Sequence, residues 1–176
     1  KLDPAEIIPP GPYQVVANIP YHITSAIFRH LLESKHKPTR MLLTIQREVA
    51  ERICAQPGDL SLLALSVQVY GQPQIVLRIP AGAFYPRPKV DSSALRVDLY
   101  PEPRIPATQL NTFFRLAKAG YSQKRKTLRN ALAGGLGKSP SQMEVLLRTA
   151  EIDPQRRAET LSLEEWGQLT ALFLEK

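Results

Sequence analysis

A short apolar run ends in an amide, a proline and an aromatic ring at Asn18-Ile19-Pro20-Tyr21. The side-chain oxygen of Asn18 and the backbone carbonyl of Ile19 or Pro20 are acceptors that can take the two hydrogens of an exocyclic amine on a flat base. The ring of Tyr21 can stack on such a base once it is flipped out. The motif therefore predicts a pocket for an adenine-like amine, although the same residues also occur in ordinary strand-to-helix turns.

The elements around the motif place it at the end of a strand. Residues 15–17 are too few and too β-branched for a helix and predict a buried strand. Pro20 fixes its own φ and keeps Ile19 out of the helical region, so the chain must turn there. Thr24 or Ser25 is placed to cap the amphipathic helix that follows. Open α/β sheets bind ligands in the crevice outside the carboxyl ends of their strands, which is where this motif is expected.

Apolar runs after this helix predict further strands of an α/β domain. We expect strands at residues 41–45, 74–79 and 93–99, a helix at 46–53, and a helix capped by Asp59 or Ser61 that runs to about Tyr70. The alternation of apolar and polar residues in 93–99 predicts one covered and one wet face. The proline-rich residues 1–13 predict a loop.

A long proline-rich loop, residues 80–90, precedes the last of these strands and carries Phe84 and Tyr85. Such a loop can offer an aromatic plate to a ligand, whereas the alternative is that Phe84 plugs the edge of the sheet. We expect Lys89 and Asp91 to organise the loop, with phosphate contact as the second possibility for Lys89.

Three prolines in residues 101–106 mark the clearest domain boundary, so we divide the chain into residues 1–102 and 103–176. The second range has helical periodicity throughout and predicts a small all-α domain. Two helix starts, at Ser139 and Ser162, have the spacing of a capping box, and Pro140 suits the first position of its helix.

The net charge of +7 is concentrated in one segment. Residues 104–143 contain no Asp or Glu, while the rest of the chain is nearly balanced. The segment holds eight basic residues: Arg104, Arg115, Lys118, Lys124, Arg125, Lys126, Arg129 and Lys138. Localised basicity favours contact with a polyanion such as RNA, whereas a solvated helix face usually interleaves acids.

Within this segment, Ser122 has the character of a helix cap, and Arg125 and Arg129 are spaced to share a helix face. We expect these two side chains to be solvated and to reach one phosphate track together. Such contacts would position RNA without selecting a base.

Several classes of function are disfavoured by composition. The single cysteine, Cys54, allows no internal disulfide and fits a structural thiol in a reducing cytoplasm. The three histidines are scattered and have no metal-ligand spacing, so we expect no metal site. No apolar run approaches the length of a membrane span.

Four stretches resemble a known family. Asn18-Ile19-Pro20-Tyr21 is similar to the adenine-binding motif of amino methyltransferases that use S-adenosylmethionine, and residues 84–93 (FYPRPKVDSS) resemble a later motif of the rRNA adenine dimethyltransferases. Residues 121–130 (YSQKRKTLRN) and 156–162 (RRAETLS) resemble its small-subunit, KsgA-type branch. The matches keep the family's order and cover nearly the whole chain.

The resemblance implies an α/β fold, the C-terminal part of a Rossmann-like class I methyltransferase sheet, followed by a small all-α domain. It implies dimethylation of the exocyclic amines of adjacent adenines near the 3′ end of small-subunit rRNA, during ribosome biogenesis in the cytoplasm. Asn18, Ile19 and Pro20 would hold the amine, and Asn18 would also border the methyl group of S-adenosylmethionine. Tyr21 and Phe84 would contact opposite faces of the adenine.

The resemblance also implies a partner, the small-subunit rRNA or 30S subunit, bound by a monomer away from any membrane. The RNA-binding candidates are Lys89, Arg115, Lys118, Lys124, Arg125, Lys126 and Arg129. The family's Gly-rich cofactor loop and its acidic partner do not precede Asn18 in this sequence. We therefore expect the chain to be a fragment that is inactive by itself and binds S-adenosylmethionine weakly or not at all.

Two alternatives remain open. Large-subunit rRNA adenine dimethylases share a motif similar to that at Asn18, although residues 124–130 and 156–162 argue against that branch. The second alternative is a ribosome-binding or assembly module without catalysis of its own.

Overall fold

The computed structural model describes residues 4–175, and their contacts divide the chain into two units. The first unit comprises residues 4–54 and 66–103, and the second comprises residues 55–65 and 104–175. The predicted boundary at residues 102–103 puts residues 55–65 in the first domain, but they contact the C-terminal helices instead. There the amides of Gly58 and Leu60 both donate to the carbonyl of Glu159, at 2.9 and 3.3 Å.

The first unit is built on a four-stranded mixed sheet. Its strands are β1 (Gln14–Asn18), β2 (Arg40–Gln46), β3 (Gly71–Ile79) and β4 (Ser92–Leu99). They lie in the order β1-β2-β4-β3, with β1 and β2 parallel and the other pairs antiparallel. The alternate residues Met41, Leu43 and Ile45 are fully buried, as the period of two along a strand requires. The strands predicted from the sequence are confirmed in position. The predicted burial of residues 15–17 is wrong, because β1 lies at the edge of the sheet and Val16 is 74% exposed.

The helices of the first unit are α1 (Pro4–Ile7), α2 (Thr24–Leu32) and α3 (Arg47–Ile53), and α4 (Leu62–Gln68) crosses from the second unit into the first. Two local predictions were wrong. Helix α1 forms within the segment expected to be a loop, and Thr24 does not cap α2 because its hydroxyl donates to the carbonyl of Tyr21 at 3.0 Å. Ser61 accepts from the amide of Ala64, as its predicted capping role requires.

The second unit is a bundle of α5 (Leu110–Tyr121), α6 (Leu128–Leu136), α7 (Pro140–Thr149) and α8 (Leu163–Leu174). Its core is apolar and fully buried, with Phe113, Leu132 and Trp166 at its centre. Both capping boxes, at Ser139 and Ser162, are confirmed. Helices α5 and α6 approach so closely that a Cβ on Gly135 would lie 2.6 Å from the Cβ of Ala119, so the contact requires glycine.

Arg156 holds the start of α8. Its guanidinium pairs with both carboxylate oxygens of Glu165 and donates to the carbonyl of Thr160 at 2.6 Å. Glu165 in turn accepts from the amide of Ser162 at 2.7 Å. Burial alone would raise the pKa of Glu165, but the hydrogen bonds from Arg156 and Ser162 outweigh it and lower that pKa. Arg156 therefore has a structural task, whereas the neighbouring Arg157 is exposed.

Candidate functional site

The motif at Asn18 lies where β1 ends. The amide of Ile19 donates to the carbonyl of Thr44 on β2 at 3.4 Å, and Pro20 is extended (φ −60°, ψ 133°), after which the chain enters a 3₁₀ turn at Tyr21–Ile23. Ile19 is buried, whereas the side chain of Asn18 is exposed at the end of the strand. The apolar residue thus fixes the backbone in the unit's core and leaves the amide side chain accessible.

Two candidate carbonyls differ in their hydrogen bonding. The Pro20 carbonyl accepts from the amide of Ile23 at 3.2 Å. The Ile19 carbonyl has no donor among the residues that the structure describes. Each carbonyl oxygen has two lone pairs, so both Ile19 and Pro20 keep at least one unused acceptor position.

One cavity brings the two aromatic candidates together. It has a volume of about 280 Å³. Its lining residues come from both motifs of the first unit: Asn18, Ile19, Pro20, Tyr21, Phe84, Pro86 and Pro88. We call it the NIPY cavity. Phe84 is half-buried in its wall, and the next residue, Tyr85, is fully exposed. Lys89 is exposed and does not line the cavity.

Hydrogen bonds hold both aromatic walls of the NIPY cavity. The hydroxyl of Tyr21 lies 2.7 Å from Oγ of Ser92 at the start of β4. Asp91 joins the two ends of the Phe84 loop, because its Oδ1 accepts from the amide of Ala81 at 3.0 Å. Its Oδ2 accepts from Nη1 of Arg47 at 3.1 Å. Asp91 thus organises the loop as expected from the sequence, whereas no sequence pattern indicates the roles of Ser92 and Arg47.

The basic turn, residues 122–127, joins α5 to α6. Lys124, Arg125 and Lys126 are all exposed there, and none has an ion-pair partner within residues 4–175. The turn is closed by a hydrogen bond from the amide of Lys126 to the carbonyl of Gln123 at 3.0 Å. These three cations therefore face solvent on a short non-helical segment.

The prediction that Arg125 and Arg129 share one helix face is wrong. Helix α6 begins only at Leu128, so Arg125 precedes it, and Ser122 ends α5 instead of capping α6. Arg129 is not solvated as expected, because its Nη1 donates to Oε2 of Glu144 at 2.8 Å. The hydrogen bonds from Arg129 and Arg148 lower the pKa of Glu144.

The remaining RNA-binding candidates lie on α5. Lys118 is exposed, and the guanidinium of Arg115 lies 5.1 Å from the centre of the Phe173 ring. Arg115 also lines a groove of about 800 Å³ in the second unit, together with Lys138 and apolar residues of α7. An acid from outside the acid-free segment, Glu164, pairs with Arg104 at 3.0 Å. The basic residues of the segment without acids, residues 104–143, thus include two that pair with glutamates, Arg104 and Arg129. Lys124, Arg125 and Lys126 have no ion-pair partner in the described chain.

The described part of the chain gives little support for a metal cluster, a membrane-spanning helix or a reactive thiol. Within residues 4–175, no three His, Cys, Asp or Glu side chains are grouped to hold a metal ion. No helix in that range is long and apolar enough to cross a bilayer. Burial raises the pKa of the Cys54 thiol, which favours its unreactive protonated form.

Comparison with known proteins matches nearly the whole chain. Residues 6–174 match the ribosomal RNA adenine dimethylase family. Ribosomal RNA small subunit methyltransferase A of Dehalococcoides mccartyi is 48% identical over 99% of this chain, which spans 60% of that relative's length. The protein of the same name from Syntrophotalea carbinolica is 48% identical over 98% of the chain, which spans 66% of its length.

Two solved structures share the fold. A dimethyladenosine transferase from Plasmodium falciparum has a TM-score of 0.79 at 21% identity, covering 97% of this chain and 70% of that one. The 23S rRNA methyltransferase ErmE has a TM-score of 0.69 at 26% identity, covering 96% and 67%. The first unit is therefore part of a Rossmann-like methyltransferase fold, followed by a helical bundle.

Proposed function

Since this chain belongs to the ribosomal RNA adenine dimethylase family, we propose that its full-length protein dimethylates adenine amines of small-subunit rRNA with S-adenosylmethionine. The proposed targets are two adjacent adenines near the 3′ end of that rRNA. The observation that carries the proposal is the NIPY cavity, whose lining brings together the amide residue Asn18, the backbone-bearing residues Ile19 and Pro20, and the aromatic residues Tyr21 and Phe84. Those are the groups that a flipped adenine requires.

The amine would be held by two acceptors. Asn18 Oδ1 and the carbonyl of Ile19 or Pro20 would accept its hydrogens, since even the Pro20 carbonyl, which accepts from Ile23, keeps a second lone pair. The lone pair of an adenine amine is delocalised into the ring, which makes it a poor nucleophile. Two acceptors on the N–H groups would draw the nitrogen toward tetrahedral geometry and localise that lone pair for attack.

S-adenosylmethionine, when bound, supplies an electrophilic methyl group on a sulfonium. Of the residues described here, the exposed side chain of Asn18 at the end of β1 fits a position beside that methyl group. Tyr21 and Phe84 would hold the ring in line for displacement, so positioning would supply most of the rate enhancement. A second round requires the same acceptors to hold an amine that has lost one N–H.

The second unit would bind the RNA away from the reacting base. The unpaired cations of the basic turn, with Arg115 and Lys118 on α5, would neutralise phosphates. Arg129 is a weaker candidate, because Glu144 already neutralises it. Lys89 on the exposed loop could contact a phosphate near the flipped base. We expect the enzyme to act as a monomer on the 30S subunit in the cytoplasm.

The proposal is tested with the full-length protein, S-adenosylmethionine and small ribosomal subunits lacking the modification. We expect dimethyladenosine at two adjacent 3′-terminal positions by mass spectrometry of the rRNA. Asn18→Ala should lower the rate of methyl transfer about 10²–10³-fold, the typical loss for one hydrogen-bonding group acting on the transition state. Its affinity for the subunit should stay within about two-fold.

Gln14→Ala is the matched control, because Gln14 is an exposed amide at the other end of β1. It should leave both rate and affinity unchanged. Equal loss of rate and affinity in Asn18→Ala would show that Asn18 is structural. Subunit binding by a wild-type protein that transfers no methyl group would favour the assembly module.

The 176-residue chain alone should bind S-adenosylmethionine weakly or not at all, because no Gly-rich loop precedes Asn18 in its sequence. Isothermal titration calorimetry measures this directly. Micromolar binding would show that these residues suffice for the cofactor.

A further inference from the structure

We propose that Ser92 is a positioning residue for the reaction, acting through Tyr21. The proposal rests on the function proposed above, in which the Tyr21 ring stacks on the target adenine. Ser92 does not line the NIPY cavity, and its hydroxyl lies 2.7 Å from the hydroxyl of Tyr21. Its task would be to fix the orientation of the ring without touching the base.

The strand that carries Ser92 provides a rigid support. Ser92 is the first residue of β4, which lies between β2 and β3, and it is opposite Gln46 on one side and Ile79 on the other. It is 0% exposed. Tyr21, by contrast, lies in a single 3₁₀ turn and is only half-buried. The hydrogen bond therefore ties a residue of an irregular segment to one fixed by strands on both sides.

The residue before Ser92 holds the opposite wall. Asp91 accepts from the amide of Ala81, at the start of the loop that carries Phe84, and from the side chain of Arg47. Neighbouring residues at one strand end thus fix both aromatic walls of the cavity. The spacing between the walls is therefore set by β4 and does not depend on the loop alone, which suits a slot for a planar base.

The hydroxyl of Tyr21 does not need Ser92 in order to have a hydrogen-bond partner. A half-exposed phenol can satisfy its hydroxyl with water, so the net gain in stability from pairing it is small. A ring free to swing would still cost rate, because the reacting amine would leave its line of attack. The expected signature of Ser92 is therefore a loss of kcat without a comparable loss of folding stability.

Ser93 provides an internal comparison. It is also 0% exposed and follows Ser92 on β4, so its side chain points to the other face of the sheet. Its hydroxyl has no hydrogen-bond partner among the described residues. Ser93→Ala therefore removes the same atom from the same strand without breaking a hydrogen bond.

The experiment is a double-mutant cycle in the full-length protein with undermethylated small subunits as substrate. Ser92→Ala and Tyr21→Phe should each lower kcat about five-fold, with KM changed less than about two-fold, as expected for one hydrogen bond. The double variant should be no slower than either single variant, because both remove the same interaction. Ser92→Thr, which keeps the hydroxyl, should restore most of the rate, and Ser93→Ala should match wild type.

Thermal unfolding of each variant separates positioning from folding. A fall in kcat for Ser92→Ala that tracks a lowered melting temperature, with Tyr21→Phe unaffected, would overturn the proposal. Additive losses in the double variant would also overturn it, since Ser92 would then act by another route. An active wild type whose Ser92→Ala variant keeps the wild-type kcat would overturn the proposal for Ser92 alone. A wild-type protein that transfers no methyl group would instead refute the proposed function itself.

Discussion

The NIPY cavity and the basic turn use their residues in opposite ways. In the cavity, Tyr21 is hydrogen-bonded to Ser92, and the loop bearing Phe84 is held by Asp91. In the turn, Lys124, Arg125 and Lys126 are exposed without ion-pair partners in the described chain. One region holds its ring and loop in a fixed place, and the other leaves its side chains free to move.

The difference follows from what each task requires. Methyl transfer depends on the distance and angle between reacting atoms, so its residues gain from being held. Phosphate neutralisation depends on charge at close range, and a long flexible side chain can find a phosphate from many starting positions. Held and free side chains are therefore a guide to which residues would do chemistry and which would bind the backbone of an RNA.

Among the variants that test the distinction between held and free side chains, the largest expected effect on folding stability concerns two arginines of the second unit. Arg156→Met should lower the free energy of unfolding of the chain by about 2–3 kcal/mol, because it leaves the carboxylate of Glu165 partly buried and unpaired. Arg157→Met, at the exposed neighbour, should change it by less than about 0.5 kcal/mol. Urea unfolding at pH 7 measures both, and equal effects would contradict the distinction between held and free arginines.

The same pair gives a pH dependence with a defined sign. Because folding lowers the pKa of Glu165, its contribution is present above the ordinary pKa of a glutamate, near 4.3, and is lost as pH falls through the lower folded value. The stability difference between wild type and Arg156→Met should therefore shrink below about pH 4. A difference that grew on acidification would contradict this assignment.

Next in size is the loss of either aromatic wall. Tyr21→Ala and Phe84→Ala should each cost about 1–3 kcal/mol of transition-state stabilisation, the usual value for a base stacked on an aromatic side chain. Methyl-transfer kinetics of the full-length protein measure the loss. Tyr85→Ala is the control, because its fully exposed ring does not line the cavity. If neither Tyr21→Ala nor Phe84→Ala lowered the rate of methyl transfer, stacking of the adenine between these two rings would be excluded.

The basic turn should show a smaller effect of a different kind. Arg125→Ala combined with Lys126→Ala should flatten the dependence of log affinity on log salt by about two units of slope, at about one for each lost phosphate contact. The rate at saturating substrate should not change. Filter binding of rRNA between low and physiological salt measures the slope, and an unchanged slope would show that the turn does not face RNA.

The smallest effect is expected for the paired cation. Arg129→Ala should flatten the salt dependence by less than one unit, because Glu144 already neutralises Arg129 in the free protein. Since the pKa of Glu144 is lowered by Arg129, the small stability that this pair adds should disappear as pH falls below about 4. A slope change of about one full unit, the value for one lost phosphate contact, would mean that Arg129 exchanges Glu144 for phosphate on binding.

Features fixed by neighbouring residues were predictable from the sequence. The strand and turn at Asn18 follow from a β-branched run and the constraint of Pro20, and the capping boxes follow from serine with Gln142 or Glu165 three residues later. The basic segment was predictable from charge alone. The turn within that segment was not predictable. A single helix face was assumed for Arg125 and Arg129, but the backbone of Thr127 between them is extended (φ −64°, ψ 154°), and the helix begins only after it.

Features that depend on distant partners were not predictable. Ser92 and Ser93 are adjacent residues of the same type, yet the hydroxyl of Ser92 hydrogen-bonds to a tyrosine 71 residues earlier, whereas the hydroxyl of Ser93 has no hydrogen-bond partner in the described chain. The pairing of Arg129 likewise depends on a glutamate of the next helix. Locating such contacts requires knowing which elements pack together, and that information is not local.

The contacts of residues 55–65 affect how the protein would assemble during synthesis. This segment emerges before β3 and β4, yet Tyr121 donates to the carbonyl of Leu60, and Leu60 is almost fully buried. The helical unit therefore needs a piece of chain made well before its own helices, and the gap must be closed as a long loop. A cut between residues 103 and 104 would not yield two self-contained pieces, because the C-terminal piece would lack this segment.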